Sequence, residues 1–149
     1  MKLELMHRFP VLIALIFCSV TFLAGCIRLH YVEIAGSVNE GITFSLLKED
    51  PNQHSDPRPA QYEIWDLGVI HYPGGNIVGE YSTIWLVQGH FTLSTITYGE
   101  ESELYSTSVK AMPLKAGGYY HFFASGSGCI AETHFRIDSN GKAVAGWEE

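Results

Sequence analysis

The chain has 149 residues, of which 46% are hydrophobic and 17% are charged, and its formal net charge is −7. This length suits one domain with a hydrophobic core of its own. The acidic balance argues against a nucleic-acid-binding protein, which would present a basic face to phosphate groups. It is compatible with a basic partner, but it most often serves solubility alone.

The first 27 residues differ in character from the rest of the chain. Lys2 and Arg8 precede a stretch, residues 9–27, that contains no charged side chain. A basic start, an apolar stretch and small residues at its end are typical of a secretory signal. An uncleaved membrane anchor is the alternative, because about 17–25 apolar residues can cross a bilayer.

The apolar stretch ends in Leu23-Ala24-Gly25-Cys26, which resembles the lipobox of bacterial lipoproteins. The resemblance implies that the Cys26 sulfur receives a diacylglyceryl group and that the signal, residues 1–25, is cleaved between Gly25 and Cys26. Acyl chains on Cys26 would then hold the mature chain, residues 26–149, on a membrane. Because Ile27 and not Asp follows the cysteine, the resemblance favours the outer membrane, with the domain facing the periplasm.

The three cysteines have different expected fates. Cys18 leaves with the signal and Cys26 is consumed by lipidation, so Cys129 is the remaining thiol and no internal disulfide is predicted. Sequence alternation places Cys129 on an apolar face, which predicts a buried, inert thiol; a reactive or intermolecular thiol is the alternative. The mature chain has seven Lys and Arg residues against fifteen Asp and Glu residues.

Beyond residue 27 the sequence predicts an all-β fold and no helix. Short alternating runs rich in β-branched and aromatic residues are separated by Gly, Pro, Asn and Asp, the pattern of antiparallel sandwiches and barrels. We predict a single antiparallel Greek-key β-sandwich of about eight to nine strands. The predicted strands cover residues 30–35, 42–48, 62–71, 81–88, 90–98, 103–112, 119–124, 129–138 and 144–147.

Turns and loops are predicted between these runs. Asn140-Gly141 is a strong hairpin-turn signal between the last two strands. Residues 48–60 contain three prolines and no apolar period, which predicts a long exposed loop. Residues 72–76 form a second turn cluster rich in Gly and Pro. Only three residues separate Cys26 from residue 30, which limits the tether to roughly 10–14 Å.

One short motif bears on the topology. The run Leu114-Lys115-Ala116-Gly117-Gly118-Tyr119 resembles the Leu-x-Pro-Gly-x-Tyr tyrosine corner of Greek-key β proteins, with Ala116 in place of the usual proline. It is also similar to a run in bacterial immunoglobulin-like and transthyretin-like sandwiches. The resemblance implies a structural role, in which the Tyr119 hydroxyl bonds to backbone a few residues upstream.

No motif for catalysis, a metal or a cofactor emerges. His71, His90, His121 and His134 lie on different predicted strands and lack local metal-ligand spacing. Residues 126–131 match Gly-x-Gly-x-x-Ala, but a strand is predicted to begin there, at residue 129, where a dinucleotide site needs a helix. The acidic cluster Glu100, Glu101 and Glu103 is expected to be solvated.

These features favour a non-enzymatic lipoprotein that binds an envelope protein as a subunit or accessory. One subtype is an acidic inhibitor of a basic enzyme. Aromatic side chains occupy both faces of two predicted strands, and Trp85 and Tyr120 are the expected members of any exposed contact surface. The alternatives are a small-ligand or glycan binder that uses loops 48–60 and 72–79, and a hydrolase whose site is assembled from distant residues.

Overall fold

The computed structural model describes residues 28–49, 59–127 and 129–146, with side chains for all of these except residues 28, 29, 129 and 130. The predicted signal, the lipobox with Cys26, and most of the loop 48–60 lie outside the described residues, as does the side chain of Cys129. Within the described ranges there is no helix of the length and apolarity needed to cross a membrane.

The described residues form nine strands and no helix, which confirms the all-β prediction of eight to nine strands. The alternation of buried and exposed side chains that marks each run in the sequence also marks the strands. The strands are β1 Arg28–Ser37, β2 Gly41–Leu47, β3 Tyr62–Tyr72, β4 Ser82–Leu93, β5 Thr95–Thr97, β6 Ser106–Val109, β7 Tyr119–Gly126, β8 Cys129–Ile137 and β9 Ala143–Ala145.

The strands make one continuous hydrogen-bonded path, in the order β5-β2-β1-β8-β7-β3-β4-β6, with β9 also paired to β8. The prediction of a purely antiparallel sheet is wrong for one pair, because residues 28–30 of β1 run parallel to residues 129–131 of β8. Short hairpins force antiparallel pairing only between strands joined by tight turns. Six strands lie between β1 and β8 in the chain, so their pairing is free of that constraint.

The sheet curls so that its β2 end covers its middle strands. Phe44 on β2 stacks on Phe122 of β7, with ring centroids 4.1 Å apart, and meets the edge of Phe135 on β8 at 5.5 Å. These rings belong to one core of buried apolar side chains. The Greek-key sandwich connectivity stays a prediction, since the pairing shows one curled mixed sheet.

Strand β4 departs from the predicted boundaries. The sequence predicts a break at Gly89, but β4 continues through this glycine to Leu93. The partner strand β3 explains the continuation, because it pairs with β4 from Tyr62 opposite Leu93 to His71 opposite Ser82. The ladder is irregular at Gly89 and His90, which have no partner in the β3 register, but pairing on both sides of them carries the strand past the glycine.

The sheet has two ends. Register places Arg28, Cys129, Gly126, Ile64 and Phe91 side by side across five strands, and we call this row and its neighbours the Arg28 end. The opposite end holds the β3–β4 loop and the 138–142 turn, and we call it the hairpin end. From Ile64 to Tyr72, strand β3 rises about 26 Å at 3.3 Å per residue.

Candidate contact surface

Residues 73–81, here called the hairpin tip, connect β3 to β4 and carry the most concentrated exposed apolar side chains. Ile77 is 50% exposed, Val78 87% and Tyr81 67%. Turns of this kind normally carry polar residues, because their side chains face water. Three large apolar side chains within five positions therefore form a candidate contact surface.

The backbone of the hairpin tip is held in a defined conformation. The Asn76 side-chain oxygen accepts a hydrogen bond from the Val78 N–H at 3.0 Å, and the Asn76 carbonyl accepts one from the Gly79 N–H at 2.9 Å. Gly75 has a φ of +65° and lies under the Tyr119 ring, where a Cβ atom would come within 3.0 Å of a ring carbon. A preformed turn loses little conformational entropy when a partner binds.

The hairpin tip continues onto the outer face of the sheet. Tyr81 packs near Tyr72, with ring centroids 6.0 Å apart. On the same face the Phe123 ring covers Gly68, at which an added Cβ atom would lie 3.1 Å from the ring. Ile70, two residues along β3 from Gly68, is half-buried there. The apolar surface thus extends from the loop toward the middle of β3.

The prediction that Trp85 and Tyr120 form an exposed surface is wrong. Both side chains are fully buried and rank among the largest of the core. Trp85 meets Tyr98 edge-on at 5.3 Å, and Tyr120 stacks on Phe135 at 5.3 Å. Alternation shows that β4 and β7 each have two faces, but it does not show which face the curled sheet encloses.

Tyr120, one residue after the predicted Tyr119, makes a bond of the tyrosine-corner kind. The Tyr120 hydroxyl accepts a hydrogen bond from the Lys115 N–H at 2.8 Å. Tyr120 points into the core, from where its hydroxyl reaches the upstream backbone, whereas Tyr119 faces the other side of β7. Leu114 packs against the core and Gly117 has a φ of +75°, so the arch itself occupies the predicted residues.

Folding brings two of the four histidines together. His121 and His134 are direct partners on β7 and β8, with stacked rings 4.4 Å apart. The His121 Nε2 atom lies 3.2 Å from a Glu132 carboxylate oxygen. Burial lowers the pKa of His134, and the neighbouring His121 lowers it further, while Glu132 acts in the opposite direction. Among the described side chains, no group of three His, Cys, Asp or Glu residues is arranged to hold a metal.

The other two histidines lie elsewhere. His71 stacks on Tyr120 at 5.1 Å, and its pKa is lowered by burial and by the positive charge of Lys115. The His90 Nε2 atom lies 2.5 Å from a Glu63 carboxylate oxygen, in a solvent-exposed position at the Arg28 end. The four histidines therefore occupy three separate places in the described part of the chain.

Two open cavities accompany these features. One of about 160 Å³ is lined by residues that include Val38, Tyr98 and Leu114, and one of about 380 Å³ is lined by Glu63, His90, Phe91, Thr92 and Leu104. Neither is lined by a residue of loop 72–79, one of the two loops on which the ligand-binding alternative depends.

The exposed apolar side chains of the hairpin tip were not predicted as a contact surface, although the sequence contains a signal for them. The run Asn76-Ile77-Val78-Gly79 places two β-branched apolar residues between turn formers. In a turn too short to fold back on the core, such residues are expected to face solvent.

Neither a protein family, nor a curated protein, nor a solved structure matches this chain.

Proposed function

We propose that this chain is a lipoprotein anchored through acyl chains on Cys26, on the periplasmic side of the outer membrane, and that it binds a protein of the cell envelope without catalysing a reaction. The observation that carries the proposal is the cluster of exposed Ile77, Val78 and Tyr81 side chains at the hairpin end. The lipobox resemblance supplies the anchor.

The geometry of the Arg28 end supports close attachment to the bilayer. Strand β1 begins at Arg28, two residues earlier than the sequence predicts. Two residue steps from Cys26 to Arg28 span about 7 Å at most. The Arg28 end would then lie against the membrane, and the hairpin tip would be carried about 26 Å further out, the length of β3 from Ile64 to Tyr72.

This separation decides what the hairpin tip can reach. A surface on the far side of the domain from its anchor cannot insert into the same leaflet while the Arg28 end lies on it. The exposed side chains of Ile77 and Val78 cannot form hydrogen bonds, so they suit an apolar pocket on a protein and not a polar glycan. We therefore assign the partner as a protein with an apolar pocket.

Site-directed photo-crosslinking in intact cells tests the partner. A photoreactive amino acid placed at Ile77 of the full-length protein is expected to give one discrete adduct. The matched control is the same amino acid at Asn140, which is exposed in a polar turn at the same end of the sheet. The adduct should disappear when Val78→Asp is added to the Ile77 probe. Equal adduct patterns from both positions would contradict a specific contact.

The anchor is tested separately by metabolic labelling with a fatty-acid analogue. The wild-type chain should incorporate label and the Cys26→Ser variant should not. Recovery of the intact leader, with unmodified Cys26, from protein purified from its native host would refute the lipoprotein assignment.

A further inference from the structure

We propose that Trp65, together with Leu104, forms a second contact with the bilayer beside the lipid anchor. The contact would be with the headgroup region of zwitterionic phospholipids. This inference rests on the proposed lipidation of Cys26 and adds to it the orientation of the domain.

Strand register places Trp65 at the height of the anchor. Arg28 pairs with Cys129, Cys129 with Gly126, and Gly126 with Ile64, so Ile64 lies in the same row as the residue two positions after Cys26. Trp65 follows Ile64 directly. Three strand spacings of about 4.8 Å separate Arg28 from Ile64 laterally, or about 14 Å.

A bulge turns Trp65 out of the sheet ladder. Both neighbours of β3 skip from Ile64 to Asp66, so that Trp65 has no partner in either register. Bulges of this kind re-aim a side chain. The Trp65 side chain is 49% exposed, which is unusual for the largest apolar side chain of a soluble domain. Indole has an apolar body and a polar N–H, and it is the ring enriched at membrane interfaces.

Leu104 lies near the same level, in the turn that precedes β6. It lines the larger cavity beside Phe91, and Phe91 is the β4 partner of Ile64. Leu104 is 70% exposed. The loop that carries it is braced by the Tyr105 ring, which packs at 5.0 Å from the Phe91 ring and donates a hydrogen bond to the Glu100 carbonyl at 3.1 Å. Both apolar side chains thus stand at the membrane-facing level.

A second contact would control tilt. One lipid-modified residue is a single point of attachment about which a domain can lean. A contact about 14 Å away from it resists that leaning and keeps β3 upright, so that the hairpin tip points away from the bilayer. The orientation assumed for partner binding then follows from the protein surface itself.

Charge selects the kind of lipid. Glu63, exposed beside Trp65, has a carboxylate oxygen 2.5 Å from the His90 Nε2 atom, and Glu103 directly precedes Leu104. Carboxylates near an anionic surface are repelled over about a Debye length. The surface around Trp65 and Leu104 is therefore expected to prefer zwitterionic lipid to anionic lipid.

Tryptophan quenching in proteoliposomes tests the inference. The full-length acylated protein, carrying Trp147→Phe, is reconstituted into phosphatidylcholine vesicles that contain a spin-labelled lipid, with the label either near the headgroup or at the chain end. Trp65 should be quenched more by the shallow label, and the quenching should be lost when Trp65→Phe is added. Trp85 is fully buried, and its residual fluorescence reports that the domain stays folded.

The outcomes separate this inference from the proposed function. If the protein floats with the vesicles but Trp65 is not quenched, the bilayer contact is refuted and the lipid anchor stands. If the protein does not float, the anchor is refuted and the contact with it. Replacing part of the phosphatidylcholine by phosphatidylglycerol should reduce the quenching; an increase would refute the assignment to zwitterionic lipid.

Discussion

The two ends of the sheet expose apolar side chains in different ways. At the Arg28 end, Trp65 is exposed at a bulge within a ladder of paired strands, near the contact between His90 and Glu63. At the hairpin end, Ile77 and Val78 stand on a turn that leaves the sheet altogether. The first arrangement suits a broad, soft surface such as a bilayer, and the second suits a pocket that a narrow projection can enter. Position along the strands, more than hydrophobicity, distinguishes the two surfaces.

The largest expected loss of stability comes from a substitution at the Arg28 end. A Cβ atom added at Gly126 would lie far inside contact distance of the Glu63 carbonyl, and that neighbour is backbone held in the sheet. Gly126→Ala is therefore expected to lower the free energy of unfolding by about 3 kcal/mol, as overpacking does. Denaturant unfolding measures the change, with Gly74→Ala as control, since a Cβ atom there meets nothing within 4 Å. Equal stability of the two variants would break the contrast between a close-packed Arg28 end and an open hairpin tip.

A smaller effect is expected at the arch before β7. Tyr120→Phe removes the acceptor of the Lys115 N–H and should reduce the free energy of unfolding by about 1–2 kcal/mol. Tyr119→Phe makes the same chemical change one residue earlier, on the other face of β7, and tests the hydroxyl that the sequence predicts. A larger loss of stability from Tyr119→Phe than from Tyr120→Phe would show that the predicted Tyr119 makes the more important corner bond.

A pH effect is expected from the histidine pair between the two ends. Burial, then the neighbouring His121, lowers the pKa of His134 below 6.5, so the unfolded chain binds protons more readily than the folded one. Stability is thus retained above pH 6.5 and lost as the pH falls below it. His134→Gln should flatten this decline in thermal unfolding scans between pH 7 and pH 5. An unchanged decline would assign the acid sensitivity to other groups, His71 among them.

The smallest effect on stability is expected at the hairpin tip. Val78→Asp changes a side chain that is almost fully exposed, so the free energy of unfolding should change by no more than about 0.5 kcal/mol. Chemical denaturation measures this, and the loss of the crosslinked adduct then reports binding alone. A large destabilisation would mean that Val78 packs against the domain and is not a contact residue.

Strand positions were predictable because each run has its own two-residue period. The alternation in residues 129–138 predicts β8, and Asn140-Gly141 predicts the turn after it, where the Asp138 carboxylate accepts hydrogen bonds from the Asn140 and Lys142 N–H groups at 2.8 and 2.9 Å. Which of the two faces becomes the core was not predictable for Trp85 and Tyr120. Both faces of their strands carry large side chains, so local pattern is balanced and the curl of the sheet decides.

The candidate surfaces likewise divide into features that the sequence shows and features that only the fold shows. The apolar residues of the hairpin tip are visible in the sequence, but Trp65 is unremarkable there, as one aromatic residue in a β-rich run. Only the bulge after Ile64, which depends on both neighbouring strands, turns it outward. Its position level with Arg28 depends on three successive strand registers, from β1 to β8, β7 and β3.

The sequence by itself determined the all-β class, the approximate strands and the expectation of a lipid-modified Cys26, because alternation, turn residues and the lipobox are all local patterns. The tertiary structure alone decided the parallel pairing of β1 with β8, the burial of Trp85 and Tyr120, the bond between Tyr120 and Lys115, and the placing of Trp65 level with Arg28. These depend on long-range pairing and on the curl of the sheet, which arise from interactions between residues far apart in the chain.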